Sequence, residues 1–368
     1  MIDVCLLGTG GMMPLPGRWL TSLLLRFNGK MYLIDCGEGT QIPLKLAGWG
    51  FKAIDAIFIT HFHADHVAGL PGLLLTIGNS GKDTPLDLVG PPGLMWVAKS
   101  LLAICPALPY EVRVVELPIA APASSGPSGN SRAPGAPGTP DASSASDDSD
   151  ASNVSDVSNV SSASNTPDAS SASDAPDALI DLSPHVDIEL YENLSFQYAL
   201  CDHNIPCYAY SFQIRRQGVF NPTIAKELDI PLHAWKQLQM GGSVELPGGR
   251  TIEPSMVLGP ERRGVKLSYC TDTRPNPALR KLFCKSDLLI CEGMYGGDSE
   301  RDNARDKKHM LFSEAAKLAR DAGALELWLT HYSPSLQNPS EYIGEARRYF
   351  ANTYTGRDLL MKTLKFKD

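Results

Sequence analysis

Short apolar runs, each closed by Gly, Asp, Thr or His, recur along the chain and set its periodicity. Near the N-terminus they are Val4 to Leu7 before Gly8-Thr9-Gly10, Tyr32 to Ile34 before Asp35-Cys36-Gly37-Glu38-Gly39, and Ile57 to Thr60 before His61. Near the C-terminus Val265 to Tyr269 runs into Thr271-Asp272-Thr273, Leu288 to Ile290 into Cys291-Glu292-Gly293, and Leu325 to Leu329 into Thr330-His331. Helical spacing, as in Ser313 to Ala322, separates such runs, and the alternation predicts an α/β fold. The two ends of the chain echo each other in order, which suggests two similar halves delivering polar side chains from strand ends to one shared site.

Between the halves the pattern vanishes. From Ala120 to Ala178 the sequence is Ser, Ala, Asp, Pro and Asn with almost no large apolar residue, and Asp-Ala-Ser-Ser-Ala-Ser-Asp occurs at both Asp141 and Asp168. Such a segment cannot bury enough surface to offset its ordering entropy, so a disordered insertion is expected between the strands Val112 to Leu117 and Val186 to Leu190. Loop-closure cost grows only logarithmically with length, so one core tolerates it. The expected organisation is residues 1–119 and 179–368 as two halves of one domain, with 120–178 inserted.

The insertion also explains the charge. Eight aspartates against one arginine fall within it, so nearly all of the net charge of -8 resides there. The remainder is close to neutral and neither advertises nor excludes a polyanionic substrate. The 8 cysteines include no C-x-x-C pair and predict buried free thiols. No leader peptide and no membrane-length apolar run is apparent, and a cytoplasmic location is the default expectation.

The densest chemistry lies in His61-Phe62-His63-Ala64-Asp65-His66, three imidazoles and a carboxylate directly after an apolar strand. Neutral His nitrogen and carboxylate oxygen are zinc ligands at similar bond lengths, so this loop reads as half of a dinuclear centre. His331 follows an apolar strand in the same Thr-His context and ranks fifth. Asp272, in Thr-Asp-Thr-Arg-Pro, is the natural bridging carboxylate, although the same sequence also suits an Asx-turn before Pro275. His203 completes the set less securely, since an isolated histidine is also a common core residue. Gly8-Thr9-Gly10-Gly11 with Asp35 mimics a dinucleotide fingerprint, but Met13 occupies the third glycine position and Pro14 and Pro16 spoil the receiving helix. Cys201 and Cys207 read as structural thiols, and Glu38 as a turn residue rather than a support for the site.

Taken together, Thr60 to His66 followed by Gly69-Leu70-Pro71-Gly72-Leu73-Leu74 resembles the metallo-β-lactamase superfamily and, within it, the ribonuclease Z family. The resemblance extends over Leu33 to Gln41, Asp202-His203-Asn204-Ile205-Pro206 with Tyr210, Thr271 to Pro275, and Leu329-Thr330-His331. It implies a four-layer αββα sandwich and two Zn2+ per chain, with Mn2+ as a substitute. His61, His63 and His203 would hold one ion, Asp65, His66 and His331 the other, and Asp272 would bridge them. By the same resemblance Asp65 would also accept a proton from water, and His309 would act on the phosphoryl group with Glu292 orienting it. The implied function is a zinc phosphodiesterase that removes the 3′ trailer from precursor tRNA, acting as a homodimer.

Three departures bear on substrate. Cys291-Glu292-Gly293-Met294 stands where the family has His-Glu-Ala-Thr, and Pro14 to Trp19 replaces a basic loop. The RNA-clamping arm is reduced near 216–250, where Lys226, Lys236 and Arg250 are diluted by Glu227, Asp229 and Glu245. A weak arm would weaken phosphate contacts. The competing expectation is therefore a dinuclear phosphodiesterase for small phosphodiesters such as cyclic nucleotides. A non-hydrolytic metal-dependent binding protein is a third reading, disfavoured because structural zinc sites are usually closed by four ligands.

Overall fold

The strands form where apolar residues fill both faces of a run, as expected for sheets covered on each side. A computed structural model describes residues 1–105, 107–119 and 187–367. The expected insertion at 120–178, the first residues of the 179–368 half and Val186 lie outside the described residues. In chain order the strands are β1 (Ile2–Gly8), β2 (Ser22–Phe27), β3 (Lys30–Ile34), β4 (Ile54–Phe58), β5 (Leu86–Gly90), β6 (Val112–Glu116), β7 (Ile188–Tyr191) and β8 (Leu194–Leu200). They continue with β9 (Tyr208–Arg216), β10 (Val244–Leu246), β11 (Arg250–Ile252), β12 (Arg262–Cys270), β13 (Leu288–Glu292), β14 (Leu327–Thr330), β15 (Thr353–Thr355) and β16 (Leu360–Leu364).

Two seven-stranded sheets result, ordered β16-β1-β2-β3-β4-β5-β6 and β15-β14-β13-β12-β9-β8-β7. Alternation sorts the side chains. Val4 and Leu6 of β1 and Leu288 and Ile290 of β13 enter the layer between the sheets. Cys5 and Leu7 face the outer layer with the helices Gln41–Ala47, Leu70–Asn79 and Leu94–Leu102. Leu289 and Cys291 face the opposite outer layer with Phe312–Asp321 and Ile343–Arg347. The expected four-layer sandwich is therefore present.

The pairing directions reveal a symmetry. Outward from β16 the first sheet is antiparallel through β1, β2 and β3 and then parallel through β4, β5 and β6. The second sheet repeats this from β7 through β8, β9 and β12 and then β13, β14 and β15. Topology thus equates β12 with β3 and β13 with β4, whereas the sequence echo had paired β12 with the first strand. The echo slips because it matched runs by the polar residues that follow them, whereas the sheets are related by pairing direction. The halves also interlock, because β16 returns to the first sheet.

The inter-sheet layer anchors the functional end of β4. Phe58 packs edge to face on Phe196, Tyr210 and Phe212 at 5.0, 5.3 and 5.1 Å. Each such contact contributes about 0.5–1.5 kcal/mol beyond area burial. Just beyond Phe58, Tyr210 Oη donates to the Ile59 carbonyl at 2.7 Å and Tyr208 N to the Thr60 carbonyl at 2.9 Å.

The segment expected to be a reduced arm is a folded module. Between β9 and β12 the chain forms the helices Pro222–Glu227 and Leu232–Gln239 and the hairpin β10–β11. Their core contains Ala225, Ile230, Ala234, Leu238, Leu246, Ile252 and Val257. The module runs past Arg250 to the start of β12. Among the charges that dilute its basic residues, Leu228, Ile230 and Trp235 are apolar anchors of that core or its rim.

Candidate metal centre

Every expected metal ligand lies beyond a strand's C-terminal end, whereas Glu292 closes β13 and His309 follows the helix Arg301–Asp306. His61 to His66 follow β4, His203 lies in the β8–β9 loop, Asp272 follows β12, and His331 follows β14. Their ligand atoms converge. His61, His63, His203 and Asp272 bring one atom each within 4.8 Å of one another, and Asp65, His66 and His331 do likewise. Asp272 joins the two groups, with Oδ1 3.8 Å from His61 Nε2 and Oδ2 3.3 and 3.2 Å from the Nε2 atoms of His66 and His331. His63 is exposed while His61, His66 and His331 are fully buried, so the centre opens on one side only.

The backbone is strained where it delivers these groups. Asp35, Asp272 and His331 all adopt left-handed conformations, with φ of 60°, 50° and 56°. Non-glycine residues avoid that region, and such strain is typical of functional sites. Asp35 and Asp272 occupy equivalent places after β3 and β12. Gly11 makes room for His331, because a Cβ there would lie 2.8 Å from the ring's Cε1.

Fixed polar partners decide which ring nitrogens face inward. Asp35, buried, accepts from Thr60 N at 2.8 Å and Thr60 Oγ1 at 2.9 Å, and holds His66 Nδ1 at 2.8 Å. The other nitrogen of His66 is thereby left for the centre, the usual carboxylate-histidine arrangement behind a metal. Thr60 Oγ1 also lies 3.0 Å from His61 Nδ1. Asp65 Oδ2 accepts from Met12 N at 2.7 Å.

His309 stands beside the cluster. Its Nδ1 is 3.0 Å from Glu292 Oε2 and 3.8 Å from Asp272 Oδ1. Glu292 also accepts from Thr273 N, coupling this histidine to the loop that carries Asp272. Arg274 locks the same corner, donating to the His309 carbonyl at 2.5 Å and to both carboxylate oxygens of Glu314. Lys308 Nζ donates to Asp202 Oδ1 at 2.8 Å and ties the His203 loop to the His309 loop.

The electrostatics follow from burial among alternating charges. Desolvation pushes the pKa of His61 down, reinforced by His66. For His66 burial opposes, but Asp35 and Asp272 hold the pKa up. Burial likewise opposes ionisation of Asp65 and Asp272, yet their histidine neighbours keep both carboxyls well below the ordinary range. His309 is raised to about 9, since Glu292 and Asp272 outweigh its burial.

These donors suit divalent metal. His66 Nε2, His331 Nε2 and Asp272 Oδ2 are buried and have no hydrogen-bond partner, an arrangement that is costly unless a cation satisfies it.

A search of protein families matches residues 2–94 to the family described as Anti-Pycsar protein Apyc1. Along its whole length the chain is 41% identical over 366 residues to a ribonuclease Z of Lachnoclostridium phytofermentans, covering 99% of that protein. It is 42% identical over 368 residues to a ribonuclease Z of Lachnospira eligens, again covering 99%.

The chain belongs to the ribonuclease Z family.

Among solved structures, the short form of human tRNase Z shares the fold with a TM-score of 0.59 and 21% identity, covering 99% of this chain and 100% of that one. The metallo-β-lactamase fold protein YhfI of Bacillus subtilis matches at 0.58 and 15%, covering 98% of each. The fold is thus the metallo-β-lactamase sandwich, and membership of this family implies a metal-dependent hydrolase.

Sequence reasoning missed Asp35, Gly11, Arg274 and Lys308 as supports of the site. Gly11 had appeared only within the rejected dinucleotide pattern, and Asp35 there and as a strand-end residue without a role. That rejection agrees with the geometry, since the glycines admit a histidine ring and Asp35 grips another. Glu38 is an exposed turn residue, and Cys207 is buried with Sγ 3.8 Å from His61 Nδ1.

Proposed function

We propose that this protein is a tRNA 3′-processing endoribonuclease that uses two zinc ions, one held by His61, His63 and His203, the other by Asp65, His66 and His331, with Asp272 shared. The observation that carries this reading is the set of buried, unpartnered ligand atoms turned toward one another in a chain about 41% identical throughout to ribonuclease Z proteins. Bound divalent metals would supply an acidified water and charge stabilisation at a phosphate, with manganese able to replace zinc.

The chain's own groups supply the rest. Asp65, held by the Met12 N–H, is placed to accept a proton from an attacking water. His309, with Nδ1 engaged by Glu292, keeps Nε2 as a donor toward the leaving oxygen. Glu292 fixes the ring's orientation and stabilises its charged form, and the Lys308–Asp202 link holds the loops of His203 and His309 together. The folded module between β9 and β12 supports a macromolecular substrate over a small phosphodiester. Residues 1–119 and 179–368 are read as interlocked parts of one catalytic domain, with 120–178 inserted.

The enzyme is proposed to act in the cytoplasm as a homodimer. Exposed Ile42, Leu46, Leu75, Met95 and Trp96 on three helices of the first outer layer support self-association. No described helix is long and apolar enough to cross a membrane.

The test is cleavage of a precursor tRNA lacking encoded CCA by zinc- or manganese-loaded protein, with a small aryl phosphodiester in parallel and Asp65→Ala as control. Release of the 3′ trailer by wild type alone is expected. Turnover of the small ester without RNA cleavage would overturn the substrate assignment. Light scattering of the same sample reads the dimer.

A further inference from the structure

Far from the metal centre, the opposite end of the second sheet carries a cavity of about 660 Å³. It lies at the starts of β12 and β13, six residues before Asp272 along β12, which places it about 20 Å from the centre at the strand rise. Its size falls within the range of small-molecule sites. Its lining is strongly cationic for a chain of net negative charge, with Arg215, Arg262, Arg263, Lys266 and Lys285 set against Glu261 and Asp287.

Pairing does not use up this charge. Arg215 is matched by Asp187 and Arg263 by Asp287. Among the described residues, Arg262, Lys266 and Lys285 have no carboxylate partner. Arg262 Nε donates to the Gln217 carbonyl at 2.9 Å, and Lys266 Nζ to the Cys284 carbonyl at 3.2 Å. Three such cations thus line one cavity, with apolar Val265 and Leu325 also in its lining.

The convergence is built into the backbone. The pairing of β12 with β9 shifts register between Arg262 and Val265, an extra residue on β12. Only glycine fits within this bulge, since a Cβ on Gly264 would lie 1.9 Å from the Ile214 carbonyl oxygen. Bulges re-aim side chains, and this one sets consecutive arginines at the cavity rim. Lys285, also in the lining, adopts a left-handed conformation, φ 56°.

We propose that this cavity binds a nucleotide-sized polyphosphate anion, with the chain of phosphates on Arg262, Lys266 and Lys285. An open cavity lined by three cations without a carboxylate partner, two of them exposed at its mouth, with apolar side chains beside them, suits a compact anion with an organic body better than an extended strand. Because β9 and β12 are the two roots of the 217–261 module, occupancy would also brace that module.

The test is calorimetric titration of the full-length, metal-loaded protein with tripolyphosphate and with ATP at 0.15 M salt, using adenosine as a neutral control. Lys285→Asn, which tolerates the left-handed backbone, and Lys266→Met, which keeps the buried stem, are compared with His331→Ala. Saturable binding of both polyphosphates, weakened at least tenfold by each lysine substitution and unchanged by His331→Ala, is expected. No saturable binding would overturn the proposal. So would binding lost in His331→Ala but kept in the lysine variants, which would place the anion at the metal centre. Binding of a short RNA in a Lys285-dependent manner, with neither polyphosphate bound, would reassign the surface to nucleic acid.

Discussion

Asp35→Asn is the most discriminating perturbation, because it exchanges one carboxylate oxygen for an amide NH2, removing a charge and turning an acceptor into a donor at almost no change in volume. In the native arrangement the buried carboxylate accepts from Thr60 N and Thr60 Oγ1 and holds His66 Nδ1 at 2.8 Å. An asparagine can keep the bond from Thr60 N with its carbonyl oxygen. Its amide nitrogen then faces His66 Nδ1, and two donors cannot face each other. The ring must take the tautomer with Nδ1 as acceptor and a proton on Nε2, the atom 3.3 Å from Asp272 Oδ2. That proton occupies the lone pair a metal needs.

Loss of such an orienting partner lowers metal affinity 10–100-fold, which corresponds to about 1.4–2.8 kcal/mol at 1.4 kcal/mol per tenfold. The metal-free fold should suffer less, because the new Nε2–H can donate to Asp272. The assay is competition for zinc against a chromophoric chelator, with thermal melts of the metal-free and loaded protein. Wild type at 100 times its dissociation constant gains about 2.7 kcal/mol from the ligand, and Asp35→Asn should lose much of that gain at the same metal concentration. Unchanged zinc affinity in a folded Asp35→Asn protein would refute the tautomer argument.

Gly11→Ala places a methyl 2.8 Å from the His331 ring, so metal occupancy should fall at least tenfold with an unchanged far-ultraviolet circular dichroism spectrum; full occupancy would show that the ring can move at no cost. His309→Ala should lower kcat by about 10²–10⁴ while metal content, measured by mass spectrometry, stays at the wild-type level; equal loss of metal would make His309 a ligand instead. Asp3 concerns stability and pH. Against its burial, the Thr363 hydroxyl and the Arg26 guanidinium hold its carboxyl below the ordinary value. The contribution is therefore present above the unfolded pKa of about 4 and lost as pH falls through the lower folded value. Asp3→Asn should melt below wild type at pH 7, and the two curves should converge once the pH falls below that lowered folded value.

Much of the candidate centre could be read in one dimension because its proposed ligands are unusual side chains at strand ends. His61, His63, Asp65 and His66 share one loop, so their proximity is covalent and needs no fold. Asp272 and His331 were legible because the apolar runs before them predict strands, and strand ends of α/β sheets gather at one edge. His203 follows a strand the periodicity did not single out, and only the β8–β9 hairpin brings it to His63, Nε2 to Nδ1 3.4 Å.

Other features are properties of space alone. The role of Asp35 depends on a hydrogen bond to a residue 31 positions away, and that of Gly11 on a ring 320 positions away that needs the absent side chain. Neither leaves a local signature, since Asp and Gly after a strand are also ordinary turn chemistry. The symmetry of the sheets was misaligned, β12 by two strand positions and β13 and β14 by one, because pairing direction is fixed by crossover connections rather than by hydrophobic period. The module between β9 and β12 looked thin for a similar reason: its charges are local, while its core forms only when two short helices and a hairpin close on each other. Sequence by itself determined the chemistry offered at the strand ends and the class of fold. Tertiary structure decided which nitrogen each histidine presents, because orientation is set by partners distant in the chain.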